Sequence, residues 1–330
     1  MTTSSLSHHL LNWFENHART LPWRSAPAGQ RPAYEVWISE MMLQQTQVSS
    51  VIPYFERWMK CFPDLESLAK ADFDDILKLW EGLGYYRRAR LLYACAQELA
   101  QKYQGNFPQS YHELIKLPGL GPYSAAAVAA LAFNETVIAI DGNVKRVSSR
   151  LFCLEVVDPK EIAEKLLKEL PLDKAGLFNE ALIELGALVC NPKHPSCDSC
   201  PVKAHCTAFQ TDRVDSFPKV IPKKPVPKIE RYALIYQTKS HIWLRKRPTD
   251  ELLGGLWGFV LSEALAKEVS SADLPPVKHA YTHFKIRVKP LMVTMPPPDS
   301  EPIALEKLKT LALSKLDRKI LAGLAALGSV

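Results

Sequence analysis

At 330 residues, 47% hydrophobic and 23% charged, the chain has the length and apolar content for two domains, each with its own core. No apolar stretch is long enough to span a bilayer, so helical membrane spans are excluded. The net charge of +6 suits a polyanionic partner without requiring one. The first residues, MTTSSLSHHLLNWFENHARTLPW, join no charged start to a sustained apolar run. A secretory signal is therefore not expected, and the chain is placed in the cytoplasm, where thiols stay reduced.

From Leu6 to Val189 apolar residues recur at helical spacing, as in Leu91, Leu92, Cys95 and Leu99, or Ile162, Leu166, Leu167 and Leu170. One such helix carries Glu40 beside Ile38, Met41 and Met42. A lone glutamate there reads as a solvated surface residue. The uncharged run Gln44, Gln45, Thr46 and Gln47 is less ordinary, since amides can read base edges or fill a gap in a base stack. Tyr85 and Tyr86 then stand beside Arg87, Arg88 and Arg90. Aromatics interleaved with arginines suit base stacking with phosphate contact. Two core tyrosines next to an exposed basic face would give the same string.

The segment LIKLPGLGPYSAAAVAALAF predicts a helix, a tight turn and a second helix. Gly119 and Gly121 let another backbone approach, and Pro122 suits the first turn of the second helix. Free amides at that helix start would face an anion such as a DNA phosphate, although a plain helix connection with glycine caps reads equally. Downstream, Asp141 followed by Gly142 and Asn143 reads first as an N-cap. Lys145, Arg146 and Arg150 follow on the same helix, as candidates for phosphate.

Four cysteines come next: Cys190, Cys197, Cys200 and Cys206, spaced C-x6-C-x2-C-x5-C. Four thiolates in one short segment suit a tetrahedral metal or an iron–sulfur cluster. Disulfides are disfavoured by the reducing compartment. Zinc is less favoured than iron–sulfur, because zinc ribbons pair two C-x2-C units and here there is one. Cys61, Cys95 and Cys153 sit in apolar or helical context, as small buried hydrophobes.

Prolines 218, 222, 225 and 227 then mark a stiff, extended connector containing Lys219, Lys223, Lys224 and Lys228. Beyond it, Arg231 to Thr238 and His241 to Arg247 predict two strands, and Val288 to Met295 a third. Leu305, Leu308, Leu311, Leu316, Ile320 and Leu324 predict a C-terminal helical segment. The expected organisation is a helical domain over residues 1–212, a linker over 213–230 and a small α+β domain over 231–330.

Taken together these segments resemble the adenine-specific mismatch DNA glycosylases of MutY type, in the helix-hairpin-helix iron–sulfur superfamily. LPWR at Leu21 to Arg24, SEMMLQQTQV, GLGYYRRAR, LPGLGPYSA, IDGNVKRV, FNEALIELGALVC, the cysteine spacing and RPTDELLGGLWGF occur in that family's order. The resemblance implies a mainly α glycosylase domain with one [4Fe-4S] cluster on the four cysteines, and a Nudix-like C-terminal domain. It implies that Glu40 protonates adenine and helps activate water, and that Asp141 stabilises the oxocarbenium ion or bonds to it transiently. Tyr123 would sit against this pair and Asn143 would hold Asp141. Trp23, Arg24 and Glu180 would line the adenine pocket, and Gln45 and Tyr85 would enter the duplex. Arg88, Lys145, Arg146 and the Gly119 and Gly121 turn would hold DNA.

The same resemblance sets Tyr281, Thr282 and His283, within AYTHFK, against the oxidised guanine opposite the adenine. Tyr281 and Thr282 replace the family's usual Phe and Ser, keeping a ring and a hydroxyl. No Nudix box follows GGLWGFVLSEALAKEV, and Glu263 and Glu268 do not supply its carboxylates, so this domain is expected to bind rather than hydrolyse. Related endonuclease III enzymes carry a lysine where Tyr123 stands, and its amine attacks the sugar. A tyrosine cannot form that Schiff base, so a glycosylase without strong strand cleavage is expected. The implied partner is duplex DNA with A·8-oxoguanine or A·G mispairs, bound by a monomer with no membrane contact. Two alternatives are a pyrimidine-damage glycosylase/lyase and a non-catalytic iron–sulfur DNA-binding protein.

Overall fold

The computed structural model describes residues 5–219, 225–249, 251–264, 269–270 and 274–326. Pro222, Lys223, Lys224 and Glu268, singled out above, lie outside them. The chain separates into two compact units: Met1–Lys70 with Leu91–Pro222, and Ala71–Arg90 with Lys223–Val330.

The first unit is helical. Leu6–His17 starts at Ser5, whose side chain accepts from the His8 amide. Ala33–Leu43 is apolar nearly all round and accordingly buried on most of its surface. Pro122–Phe133 carries the small-residue run, and Ala125 to Ala130 are fully enclosed. This tight packing needs Gly176 on the facing helix, Ala175–Leu188. A Cβ on Gly176 would lie 2.6 Å from the Ala130 carbonyl oxygen. The core behind these helices joins Leu10, Phe14, Val144, Val147, Ile162, Phe178 and Leu182.

The second unit contains two sheets. Its strands are β1 (Lys228–Ile235), β2 (His241–Lys246), β3 (Trp257–Gly258), β4 (Val260–Ser262), β5 (Val269–Ser270), β6 (Val277–Ala280), β7 (Lys285–Val293) and β8 (Glu301–Ala304). One sheet runs β4-β1-β7-β5, with β6 also paired to β7, and the other runs β3-β2-β8. β1 and β7 are parallel, with Lys228 opposite Lys285 and Ile235 opposite Met292.

β7 begins three residues before the expected Val288, because Ile286 and Val288 alternate inward between Lys285, Arg287 and Lys289. The expected C-terminal helical segment is two pieces, a 3₁₀ turn at Leu305–Lys309 and a helix at Lys315–Ala326. Ser314 divides them: its hydroxyl accepts from the Asp317 amide and donates to the Asp317 carboxylate. Segment 71–90 belongs to this unit through side-chain bonds. Glu81 receives Arg318 at 2.6 Å, Asp74 receives Lys246 at 2.7 Å, and Arg90 donates to the Gly254 carbonyl at 2.8 Å.

Candidate active site

Glu40 projects from helix Ala33–Leu43 and is 7% exposed, with Trp37, Ile38, Met41 and Met42 buried around it. The surface reading of a lone glutamate therefore fails at this position. The Tyr123 hydroxyl donates to its carboxyl. Its Oε2 is enclosed with no hydrogen-bond partner among the described residues. Burial pushes the Glu40 pKa up to about 7, against the Tyr123 hydrogen bond, with the negative charges of Asp141 and Glu180 adding to the rise and Arg31 opposing it. Burial, and then the charges of Glu40 and Asp141, hold the Tyr123 phenol well above its ordinary value. Tyr123 is thus a neutral donor.

Asp141 is the N-cap of helix Gly142–Leu151. Its Oδ1 accepts from the Val144 amide at 2.7 Å, and its Oδ2 accepts from Asn143 Nδ2 at 2.9 Å. Burial raises this carboxyl above its ordinary range, while the Val144 and Asn143 donors and the nearby Arg146 favour its charged form. Cap and chemistry are compatible, since the capping bonds steady the charge and fix the rotamer.

Glu40, Tyr123, Asp141 and Asn143 line one cleft of about 670 Å³, together with Trp23, Arg24, Gln45, Gly119, Gly121 and Glu180. Elements far apart in sequence thereby converge on one concavity, in which Glu40 and Asp141 are carboxyl groups of different surroundings. Such a pair is what acid-assisted cleavage of a glycosidic bond requires.

A buried ion network forms the wall. Arg31 grips Glu180 with both terminal nitrogens at 2.7 Å, and Arg24 Nε donates to the same carboxylate at 2.7 Å. Glu184, one turn along, accepts from the Arg19 backbone amide, Nε and Nη2, and from Arg24. Burial would raise Glu184, but these donors hold it at about 2. Arg19, Arg31 and Glu184 were not singled out from sequence. The available signal was Glu180 and Glu184 at i,i+4 in an otherwise apolar helix, which demands inward cations.

Residues 38–172 match the family described as HhH-GPD superfamily base excision DNA repair protein, and residues 231–323 match the NUDIX domain. The adenine DNA glycosylase of Buchnera aphidicola subsp. Baizongia pistaciae is 41% identical, over 75% of this chain and 71% of that one. That of Buchnera aphidicola subsp. Schizaphis graminum is 33% identical over 89% of each. The human adenine DNA glycosylase is 32% identical, over 94% of this chain and 72% of its own. The chain belongs to the adenine DNA glycosylase family. A thermostable thymine-DNA glycosylase structure covers 62% of this chain and 95% of its own, with TM-score 0.57 and 26% identity. An endonuclease III–DNA complex, at TM-score 0.53 and 24% identity over 62% of this chain and 94% of its own, shares the fold. This glycosylase acts in base excision repair of DNA.

The residues expected to meet DNA differ in exposure. Gln45 is exposed in a left-handed turn (φ 58°) after the Glu40 helix. Gly119 has φ 79°, and a Cβ there would meet Leu91 Cβ at 2.8 Å, so glycine is required. Lys145 is half-buried on its helix.

Three arginines are otherwise engaged. Arg146 donates to the Cys190 carbonyl at 2.7 Å, to the Gly186 carbonyl at 2.8 Å and to Asn143 Oδ1 at 2.9 Å, making it an internal brace. Arg150 is buried and donates to the carbonyls of Phe217 and Asn191 and to Cys190 Sγ. In the second unit Arg88 is buried, with its guanidinium 5.3 Å from the ring centroids of both Trp80 and Tyr85. Burial lowers it to about 10. It supports the Tyr85 ring from beneath and does not reach outward to phosphate.

A second cavity, of about 690 Å³, lies within the second unit and is lined by Tyr85, Tyr281, Thr282 and His283. Tyr85 is 39% exposed, and its hydroxyl bonds to that of Thr282. The Tyr281 ring packs 4.6 Å from His279 and 4.8 Å from Phe284, against the C-terminal core.

Cys190, Cys197, Cys200 and Cys206 are unpaired and ring one small pocket with Arg150 and Lys203. Among the described residues no three His, Cys, Asp or Glu side chains converge as a single ion would need. Burial pushes the Cys200 thiol up to about 11, with the other three cysteines adding to the rise. Four thiolates that disfavour one another need a cationic centre between them, and this donor set suits a polynuclear one.

Proposed function

We propose that this enzyme hydrolyses the N-glycosidic bond of adenine mispaired with 8-oxoguanine or guanine in duplex DNA, without strong strand cleavage. The observation that carries the reading is Glu40: a sheltered carboxyl with a raised pKa, in one cleft with Asp141. An adenine inside the stack is out of reach, so the base is extruded, at a cost of a few kcal/mol. Glu40 then delivers its proton to the purine, turning it into a leaving group. Asp141, steadied by Asn143 and Val144, faces the positive charge that develops on the sugar, and Glu40 as carboxylate activates water. Trp23, Arg24 and Glu180 define the pocket for the base, and Gln45 fills the gap it leaves.

The cavity with Tyr85, Tyr281, Thr282 and His283 is the place for the oxidised guanine. The coupled Tyr85 and Thr282 hydroxyls supply hydrogen-bonding groups there, and the Tyr281 ring backs the loop. The four cysteines would hold a [4Fe-4S] cluster, which when bound orders the loop carrying Lys193 and Lys203.

The deciding experiment compares adenine opposite 8-oxoguanine, guanine, cytosine and thymine, scored by strand breakage after alkali. Breakage confined to the first two supports the assignment, and equal cleavage of all four overturns it. Borohydride trapping is expected to give little protein–DNA crosslink. Efficient trapping would favour the lyase alternative.

Asn143 also makes Gly186 a sensitive position. A Cβ on Gly186 would lie 2.5 Å from Asn143 Cβ. Gly186→Ala should therefore displace Asn143 from Asp141 and slow single-turnover excision by roughly 10–100-fold, in keeping with the cost of a misplacement near 1 Å. A rate within twofold of wild type would mean that Asn143 does not position Asp141.

A further inference from the structure

One face of the β1–β7 sheet is strongly basic, and nothing above uses it. β7 alternates Lys285, Arg287 and Lys289 outward with Ile286, Val288 and Pro290 inward. The strand register sets like charges directly opposite one another. Lys228 of β1 faces Lys285, and Lys278 of β6 faces Arg287. Like charges at paired positions destabilise a sheet by up to about 1 kcal/mol each. A sheet that keeps two such pairs side by side is best explained by an anion that offsets them.

A groove of about 560 Å³ runs between Lys228, Lys278, Lys285 and Arg287, and Lys319 also lines it. Among the described residues it holds a single carboxylate, Glu230, 3.4 Å from Arg287 in an exposed pair worth little. Outward residues on one strand repeat every ~6.7 Å. The row on β7 therefore presents a line of cations to a polyanionic backbone.

We propose that this face is a duplex-backbone contact of the C-terminal unit, independent of base identity. It carries Lys228, Lys278, Lys285, Arg287 and Lys289. A phosphodiester backbone is favoured over an acidic protein because the enzyme acts on DNA and because the charges lie in a row. The inference rests on duplex DNA being the substrate, and on no assignment within the catalytic cleft.

The test uses the full chain with Lys278→Ser, Arg287→Ser and Lys289→Ser combined. Affinity for an undamaged duplex is measured against salt, and excision is measured under single-turnover conditions at saturating enzyme. Each lost phosphate contact removes about 0.9 from the log–log salt slope, so the slope should fall by roughly 2–3. The saturated excision rate should not change. A companion variant keeping the charge, Lys278→Arg with Lys289→Arg, should retain the wild-type slope. An unchanged slope in the triple variant overturns the proposal. So does loss of binding to polyglutamate with duplex affinity intact, which would indicate an acidic protein partner. Failure of the wild type to excise mispaired adenine would strike the catalytic reading alone, because the slope on undamaged duplex reports this face separately.

Discussion

Glu40→Gln is expected to lower adenine excision by roughly 10²–10⁴-fold while leaving duplex affinity close to wild type. Glutamine keeps the shape of the buried side chain and removes its proton. Single-turnover kinetics on an A·8-oxoguanine duplex check this, and near-wild-type activity would end the acid assignment. The raised carboxyl also sets a pH window. Glu40 keeps its proton in the folded protein up to about pH 7, whereas the ordinary value is 4.5. The competent acid is present below pH 7 and is titrated away above it, so the excision rate should fall on the alkaline side.

Stability follows the same sign. Between pH 4.5 and 7 the unfolded chain binds fewer protons at this position than the folded one. The protonated carboxyl's contribution is complete below pH 4.5 and is lost as pH rises through 7. Glutamine has no such loss. At pH 8 the variant should exceed wild type by roughly a few kcal/mol, and at pH 4 the gap should vanish. Urea denaturation at the two pH values measures it. A wild type as stable as the variant at pH 8 would mean that the carboxylate is accommodated at little cost.

Arg31→Met should be the most damaging change to stability. The Arg31 and Glu180 side chains are 6% and 7% exposed, and the guanidinium forms two parallel bonds to the carboxylate. Removing one partner of a buried pair costs about 3–5 kcal/mol, because the other charge stays enclosed. Pairing Arg31→Met with Glu180→Gln should recover much of that loss. A cost below 1 kcal/mol in the single variant would reduce the pair to the rank of a surface bridge.

The residues proposed to do the chemistry stood out because they sit in short segments with unusual neighbours. Asp141 before Gly142 and Asn143, and Glu40 before the amide run, identified themselves once the segments were taken together. The burial of Glu40 was not legible from its own helix, where a lone glutamate reads as surface; only the fold closes Trp37, Ile38, Met41 and Met42 around it. The basic residues were not legible either. Arg88, Arg146 and Arg150 stand on helices with polar neighbours, and charge alone does not say whether a guanidinium turns outward or caps interior carbonyls. Arg31 lies in a Gly- and Pro-rich loop without periodicity, so only the fold brings it to Glu180. The short strands β3, β4 and β8 escaped because two to four residues carry too little pattern, and β8 contains Pro302. The cap at Ser314 with Asp317 marks where the expected C-terminal helical segment divides, a break that the leucine spacing alone does not show.

The Arg146 brace has one consequence for the working life of the enzyme. Through Asn143 it touches the residue that orients Asp141, and through the Cys190 carbonyl it holds the first of the four cysteines. The alignment of Asp141 is therefore tied to the loop that carries the four cysteines, so a change in that loop can reach this carboxylate without touching the cleft itself.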